Sequence, residues 1–165
     1  MPEAFVAAGS NVLPRANLRR AIAALADRFP GLRQSRAWSN PAVGFRGSDF
    51  INLVVAFPCE LPVEKLLAAL KSLELASGRE RDAPKWGPRT LDLDLLLYGG
   101  HTGTVAGARL PHPDLLRRAF VLGPLAELAP GLLHPELGVT IDGLWRRFDR
   151  DAHPMRETSL DGADE

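Results

Sequence analysis

The chain has 165 residues, 45% hydrophobic and 24% charged, a balance that suits one globular domain burying about two-thirds of its unfolded surface. Twenty basic and twenty acidic side chains cancel, so the overall field gives no reason to expect a nucleic-acid or membrane partner. A single cysteine, Cys59, excludes an internal disulfide and any cysteine-built metal cage, and no run reaches the ~20 apolar residues of a membrane span.

Cys59 closes an apolar run and reads as a buried, inert thiol. Met1 to Ser10 has neither the basic start nor the apolar core of a leader, so a reducing cytoplasm is expected.

Ala4 to Ala8 is a short apolar run closed by Gly9-Ser10-Asn11, the pattern of a buried strand entering a turn. Pro14 opens a helix, where its missing N–H is harmless, and Leu18, Ile22, Leu25 and Phe29 keep helical spacing until Pro30-Gly31. Leu32 to Ser39 is a weaker strand, and Asn40 to Ser48 is a loop with one proline and two glycines. Phe50 to Phe57 is rich in strand formers. Val63 to Ala76 sets Leu66, Leu67, Leu70 and Leu73 on one helical stripe.

Gly78 to Arg89 has no hydrophobic period and mixes Arg, Lys, Gly and Pro, as functional loops do. Thr90 to Tyr98 returns to strand and Gly99-Gly100 turns the chain. Leu115 to Leu128 reads as helix broken at Gly123-Pro124, and Ile141 to Phe148 as a last short helix. Residues 1–150 then form one domain, and 151–165 a polar, disordered tail. Strand, helix, strand, strand, helix, strand and a helical appendix is the split βαβ order of a ferredoxin-like α+β sandwich with a mainly antiparallel sheet.

Chemistry concentrates in Trp86-Gly87-Pro88-Arg89-Thr90-Leu91-Asp92-Leu93-Asp94-Leu95. Alternation along a strand turns Asp92 and Asp94 to one face and the leucines to the other, the carboxylates about 7 Å apart along the strand. Two like charges so placed suit a hard divalent cation, and a two-metal site would match a polyphosphate's oxygens. Taken alone, the alternation is weak evidence and is better read as an acidic, solvent-facing strand. Arg79, Arg81, Lys85 and Arg89 in the preceding loop add phosphate-binding chemistry, or a solvated basic loop partly neutralised by Glu80 and Asp82. Pro111-His112-Pro113 holds a histidine in a rigid turn. Arg117 and Arg118 read as helical neighbours, of which only one can face a ligand.

These pieces resemble the 6-hydroxymethyl-7,8-dihydropterin pyrophosphokinase family of folate biosynthesis. The likeness is carried, in family order, by Ala7 to Asn11, Asp49-Phe50-Ile51-Asn52, Glu74, Gly78-Arg79, Arg81 through Tyr98, Pro111-His112-Pro113 and Arg118-Ala119-Phe120. It implies pyrophosphate transfer from ATP to the pterin hydroxymethyl group, with release of AMP. Asp92 and Asp94 would then hold two Mg2+ ions. Arg79, Arg81 and Arg89 would serve the transfer, and Glu74, Arg81, Trp86, Arg89, Leu95, Arg109, His112 and Arg118 would line the ATP site. Asn40, Pro41, Val43, Phe50, Asn52, Trp86 and Phe120 would line the pterin site. A flat heterocycle does need aromatic faces and in-plane hydrogen bonds, which Phe50, Phe120 and Asn52 supply. Both loops are expected to order over the ligands and exclude water. The implied partners are these small molecules only, and the implied state is a monomer.

Three departures from the family pattern bear on substrate preference. Asn40-Pro41-Ala42 stands where Thr-Pro-Pro is usual. Phe50 replaces a frequent Tyr. Gly107 occupies an arginine position, which Arg109 can serve if that segment is extended. A paralogue with altered pterin preference is the alternative. A non-enzymatic RNA-binding module is disfavoured, because Asp92 and Asp94 would repel a phosphate backbone.

Overall fold

The computed structural model describes residues 1–44, 46–78 and 90–164. In chain order the elements are β1 (Glu3–Ser10), α1 (Pro14–Arg28), β2 (Arg33–Gln34), β3 (Ala37–Asn40), β4 (Phe50–Pro58) and α2 (Val63–Ala76). There follow β5 (Asp92–Tyr98), β6 (Gly103–Val105), β7 (Ala108–Leu110), a 3-10 turn (Pro113–Leu116), α3 (Ala119–Leu128), α4 (Ile141–Arg147) and β8 (Arg156–Thr158).

The sheet runs β5-β1-β4-β3-β8, with β2 also on β4, and the described pairings are antiparallel. The first four strands in this order reproduce the ferredoxin-like split βαβ arrangement expected from the sequence. Central strands are covered on both sides, so β1 and β4 are apolar at nearly every position. One face packs Val6, Leu53, Val55 and Phe57 against Leu18 and Leu25 of α1 and Leu66 and Leu70 of α2. The other packs Phe5, Val54, Ala56 and Leu96 against Leu122 and Leu125 of α3. Among the described residues no helix is long and apolar enough to cross a membrane, and Cys59 is a buried free thiol.

Four sequence expectations need correction. The weak strand predicted over Leu32–Ser39 is two strands, because the register slips by one residue between the pairs Gln34↔Val55 and Trp38↔Asn52. Ser35 fills that bulge: its Oγ accepts from the Val54 N–H at 2.9 Å, while its own N–H donates to the Val54 carbonyl. Helix α3 runs unbroken through Gly123-Pro124. A Cβ on Gly123 would lie 2.8 Å from Met155 Cε and 2.9 Å from Trp145 Cη2, so close packing selects this glycine. The chain breaks instead at Arg117-Arg118, between the 3-10 turn and α3.

The segment 151–165, expected to be a disordered tail, is built into the fold over its described part. Its β8 extends the sheet beside β3, with Ala37↔Thr158 and Ser39↔Arg156 in register. Polarity misled the reading because a strand added at an edge draws its stability from backbone pairing rather than from an apolar face.

Candidate active site

Strand β5 presents Asp92 and Asp94, both half-buried, on the face opposite Leu91, Leu93 and Leu95, as alternation requires. Their partners on β1 are the small residues Gly9 and Ala7. The outer edge of β5 is tied down by its surroundings. Glu74 Oε2 on α2 accepts from the Leu93 N–H at 2.8 Å, and the His112 N–H donates to the Leu96 carbonyl at 2.9 Å.

These groups border a cleft of about 800 Å³. Its cations are Lys71, Arg109, Arg117 and Arg118, and its carboxylates are Glu74, Asp92, Asp94 and Asp114. Both arginines at the chain break reach the cleft, contrary to the expectation that only one would. The break removes the helical constraint on which that expectation rested. Lys71 escaped the sequence reading, although it lies three residues before Glu74 and hence on the same side of α2.

His112 also lines the cleft. Its Nδ1 accepts from the Asp114 N–H at 3.1 Å, which leaves the ring proton on Nε2 as a donor. Burial lowers its pKa below the usual 6.5, an effect that nearby Asp114 and Asp92 oppose and Arg117 reinforces. The imidazole is therefore neutral at pH 7.

The assumption of an extended segment at Gly107 does not hold. Ala106 (φ 49°) and Gly107 (φ 83°) form the two-residue turn of the β6–β7 hairpin, a conformation that favours glycine at this position. The hairpin itself was missed for want of apolar alternation. Arg109 on β7 does line the cleft, but its Nη2 is bound to Glu136 at 2.7 Å. Leu95 is core, 3% exposed, and also touches the cleft.

A second, smaller pocket of about 140 Å³ lies between the end of β3 and the start of α3. Asn40, Pro41, Val43, Arg118 and Phe120 line it. Asn52 Nδ2 donates to Asn40 Oδ1, and Asn40 Nδ2 donates to the Pro41 carbonyl at 3.0 Å, so the two amides fix each other's orientation. Phe50 pairs with Asn40 across β3 and β4, and Asn52 pairs with Trp38. Neither Phe50 nor Asn52 borders the pocket itself; they flank it. Arg118 lines both cavities, so it stands where they adjoin. The expected site residues Arg79, Arg81, Trp86 and Arg89, with Lys85, lie outside the described residues.

Fold and site first define a class: a ferredoxin-like sandwich with a charged cleft and an amide-and-aromatic pocket adjoining at one arginine. Residues 5–130 match the family described as 7,8-dihydro-6-hydroxymethylpterin-pyrophosphokinase. Among curated relatives, the 2-amino-4-hydroxy-6-hydroxymethyldihydropteridine pyrophosphokinase of Synechocystis sp. is 40% identical over 154 residues, 88% of this chain and 76% of that protein. The enzyme of the same name from Pseudomonas aeruginosa is 41% identical over 139 residues, 80% of this chain and 83% of that one. Among solved structures, wild-type Plasmodium falciparum HPPK-DHPS with pteroate matches with a TM-score of 0.66 at 13% identity. The match covers 88% of this chain and 42% of that one. An HPPK-DHPS in complex with substrates gives 0.70 at 10% identity, over 92% of this chain and 46% of that one. Those structures carry the fold alone, and this chain spans less than half of their length. The chain belongs to the 7,8-dihydro-6-hydroxymethylpterin-pyrophosphokinase family.

Proposed function

We propose that this chain transfers pyrophosphate from ATP to the hydroxymethyl group of 6-hydroxymethyl-7,8-dihydropterin, the reaction its family membership assigns to folate biosynthesis. The observation that carries the reading is Arg118, shared by a charged cleft suited to a polyphosphate and a pocket suited to a flat heterocycle. The pterin hydroxyl oxygen forms a bond to the β-phosphorus, the bond from that phosphorus to the α-phosphate oxygen breaks, AMP leaves, and the hydroxyl proton passes to solvent.

The residues of the cleft divide the work. Four cations and four carboxylates cancel among its described side chains, so an incoming polyphosphate requires further positive charge. Asp92 and Asp94 offer two hard oxygen donors facing one way, which fits magnesium held by one or two carboxylates plus substrate phosphates. We assign both to holding two Mg2+ ions, which when bound neutralise phosphate charge and make the phosphorus more electrophilic. Arg118 and the neutral His112, through its Nε2–H, bind and orient phosphate oxygens. Glu74, already hydrogen-bonded to β5, holds the carboxylate strand in position. Arg79, Arg81 and Arg89 complete the cationic set, with Leu95 and Arg109 at the ATP side. Trp86 is assigned a role toward both ligands by family likeness. Asn40, Phe120, Pro41 and Val43 receive the pterin, with Phe50 and Asn52 flanking them. The reading includes a monomer working in the cytoplasm, where the Cys59 thiol stays reduced.

Mass spectrometry of a reaction with ATP, Mg2+ and the dihydropterin tests the assignment. Pterin pyrophosphate and AMP are expected, with the rate at least ~10²-fold lower in Asp94→Asn, the scale on which removing one transition-state charge stabiliser acts. ADP in place of AMP would show single-phosphoryl transfer and overturn the proposal.

A further inference from the structure

The pocket assigned to the pterin has a wall that the family match does not reach. That match ends at residue 130, whereas Ala152, His153, Pro154 and Met155 line the pocket together with Asn40–Val43. Three anchors hold this turn in place. The His153 ring stands edge-on to Phe148, with centroids 5.0 Å apart and an interplanar angle of 61°. Met155 Cε packs against Gly123 of α3, in space that any side chain there would fill. From Arg156 the chain joins β3 as β8, and the residue of β3 paired with Arg156 is Ser39, next to Asn40 in the pocket.

The pocket's volume of about 140 Å³ is close to that of an apolar cavity of roughly 150 Å³ that takes up benzene, so it has room for a flat ring. A thioether against an aromatic face is a favourable and adaptable contact. Pro154, between two anchored residues, limits how far the wall can yield.

We infer that His153 and Met155 form the outer wall of the pterin pocket and set its specificity, making the segment after α4 a positioning element for that substrate. This rests on the pterin reading of the pocket. The wall acts on the heterocycle and not on the nucleotide, because neither residue borders the cleft that holds Asp92 and Asp94.

Steady-state constants for both substrates, measured on His153→Ala, Met155→Ala and Met155→Leu, test it. The expected result is a pterin KM raised about tenfold in each alanine variant, with the ATP KM within twofold of wild type. Met155→Leu, which keeps most of the volume, should restore the pterin KM to within about threefold. Circular dichroism confirms folding of each variant. A pterin KM unchanged in the folded alanine variants, or both KM values raised together, would overturn the inference. Failure of the wild type to turn over the dihydropterin would overturn the functional reading itself, and is distinguished by needing no variant.

Discussion

His112 shows how one residue's surroundings fix what it can do. Nδ1 is occupied by the Asp114 N–H, so a neutral ring must carry its proton on Nε2. Burial favours that neutral form and outweighs the pull of Asp114 and Asp92. The folded-state pKa lies below the usual 6.5, so this group's contribution is complete above pH 6.5 and declines as the pH falls below it. Protonation would turn Nδ1 into a second donor facing the Asp114 N–H and break the turn at its start. The ATP KM should accordingly be flat above pH 6.5 and rise below it. His112→Asn keeps an acceptor near Nδ1 but loses the Nε2–H. It should raise the ATP KM about tenfold, on the scale of one hydrogen bond to a charged group, and remove the pH dependence in that window. A variant whose pH profile matched wild type would show that another group titrates.

At the scale of elements, the approach of β1 to β4 governs the pterin pocket. Gly9 pairs with Asn52, and a Cβ on Gly9 would lie 2.4 Å from Asn52 Oδ1. Gly9→Ala must therefore push Asn52 off its bond to Asn40. Overpacking of this kind costs about 1–3 kcal/mol, which denaturant unfolding will read, and the pterin KM should rise. An unaltered pterin KM would mean that the Asn52–Asn40 pair does not orient the ligand. The sequence discloses these elements unevenly, for physical reasons. The Asp92 and Asp94 alternation was legible because a strand's period of two is written directly in residue types, and α2 because its leucines keep helical spacing along a 14-residue helix. The one-residue slip at Ser35 was not, since a bulge leaves no mark on hydrophobic pattern. The hairpin turn at Ala106-Gly107 and the wall at His153–Met155 arise from pairing and packing between distant segments, which local composition does not encode.

Across the whole molecule, the two ends of the chain are joined at α1. Leu13, at the N-cap of α1, has no side-chain acceptor for the helix's first N–H groups. Asp164 supplies one from 149 residues away: Oδ1 accepts from the Arg15 N–H at 2.8 Å and Oδ2 from the Ala16 N–H at 3.0 Å. Arg15 and Arg19 fasten the rest of the segment, reaching Thr158, Ser159 and the carbonyl of Gly162. Because the same segment carries β8 and the pocket wall, this distant cap bears on the substrate site. Burial alone would raise the Asp164 pKa, but the two backbone N–H groups and the charges of Arg15 and Arg19 together bring it below the ordinary 3.8. A carboxyl with a lowered folded-state pKa contributes stability that is complete above its unfolded value and is lost as the pH falls through the folded one. The Arg15 and Ala16 amide proton resonances should therefore titrate together by NMR, with a midpoint below 3.8. The β8 amides should lose protection in the same range, and Asp164→Ala should abolish the titration at every pH. If β8 stays protected in Asp164→Ala, pairing with β3 holds the segment by itself and the cap serves α1 alone.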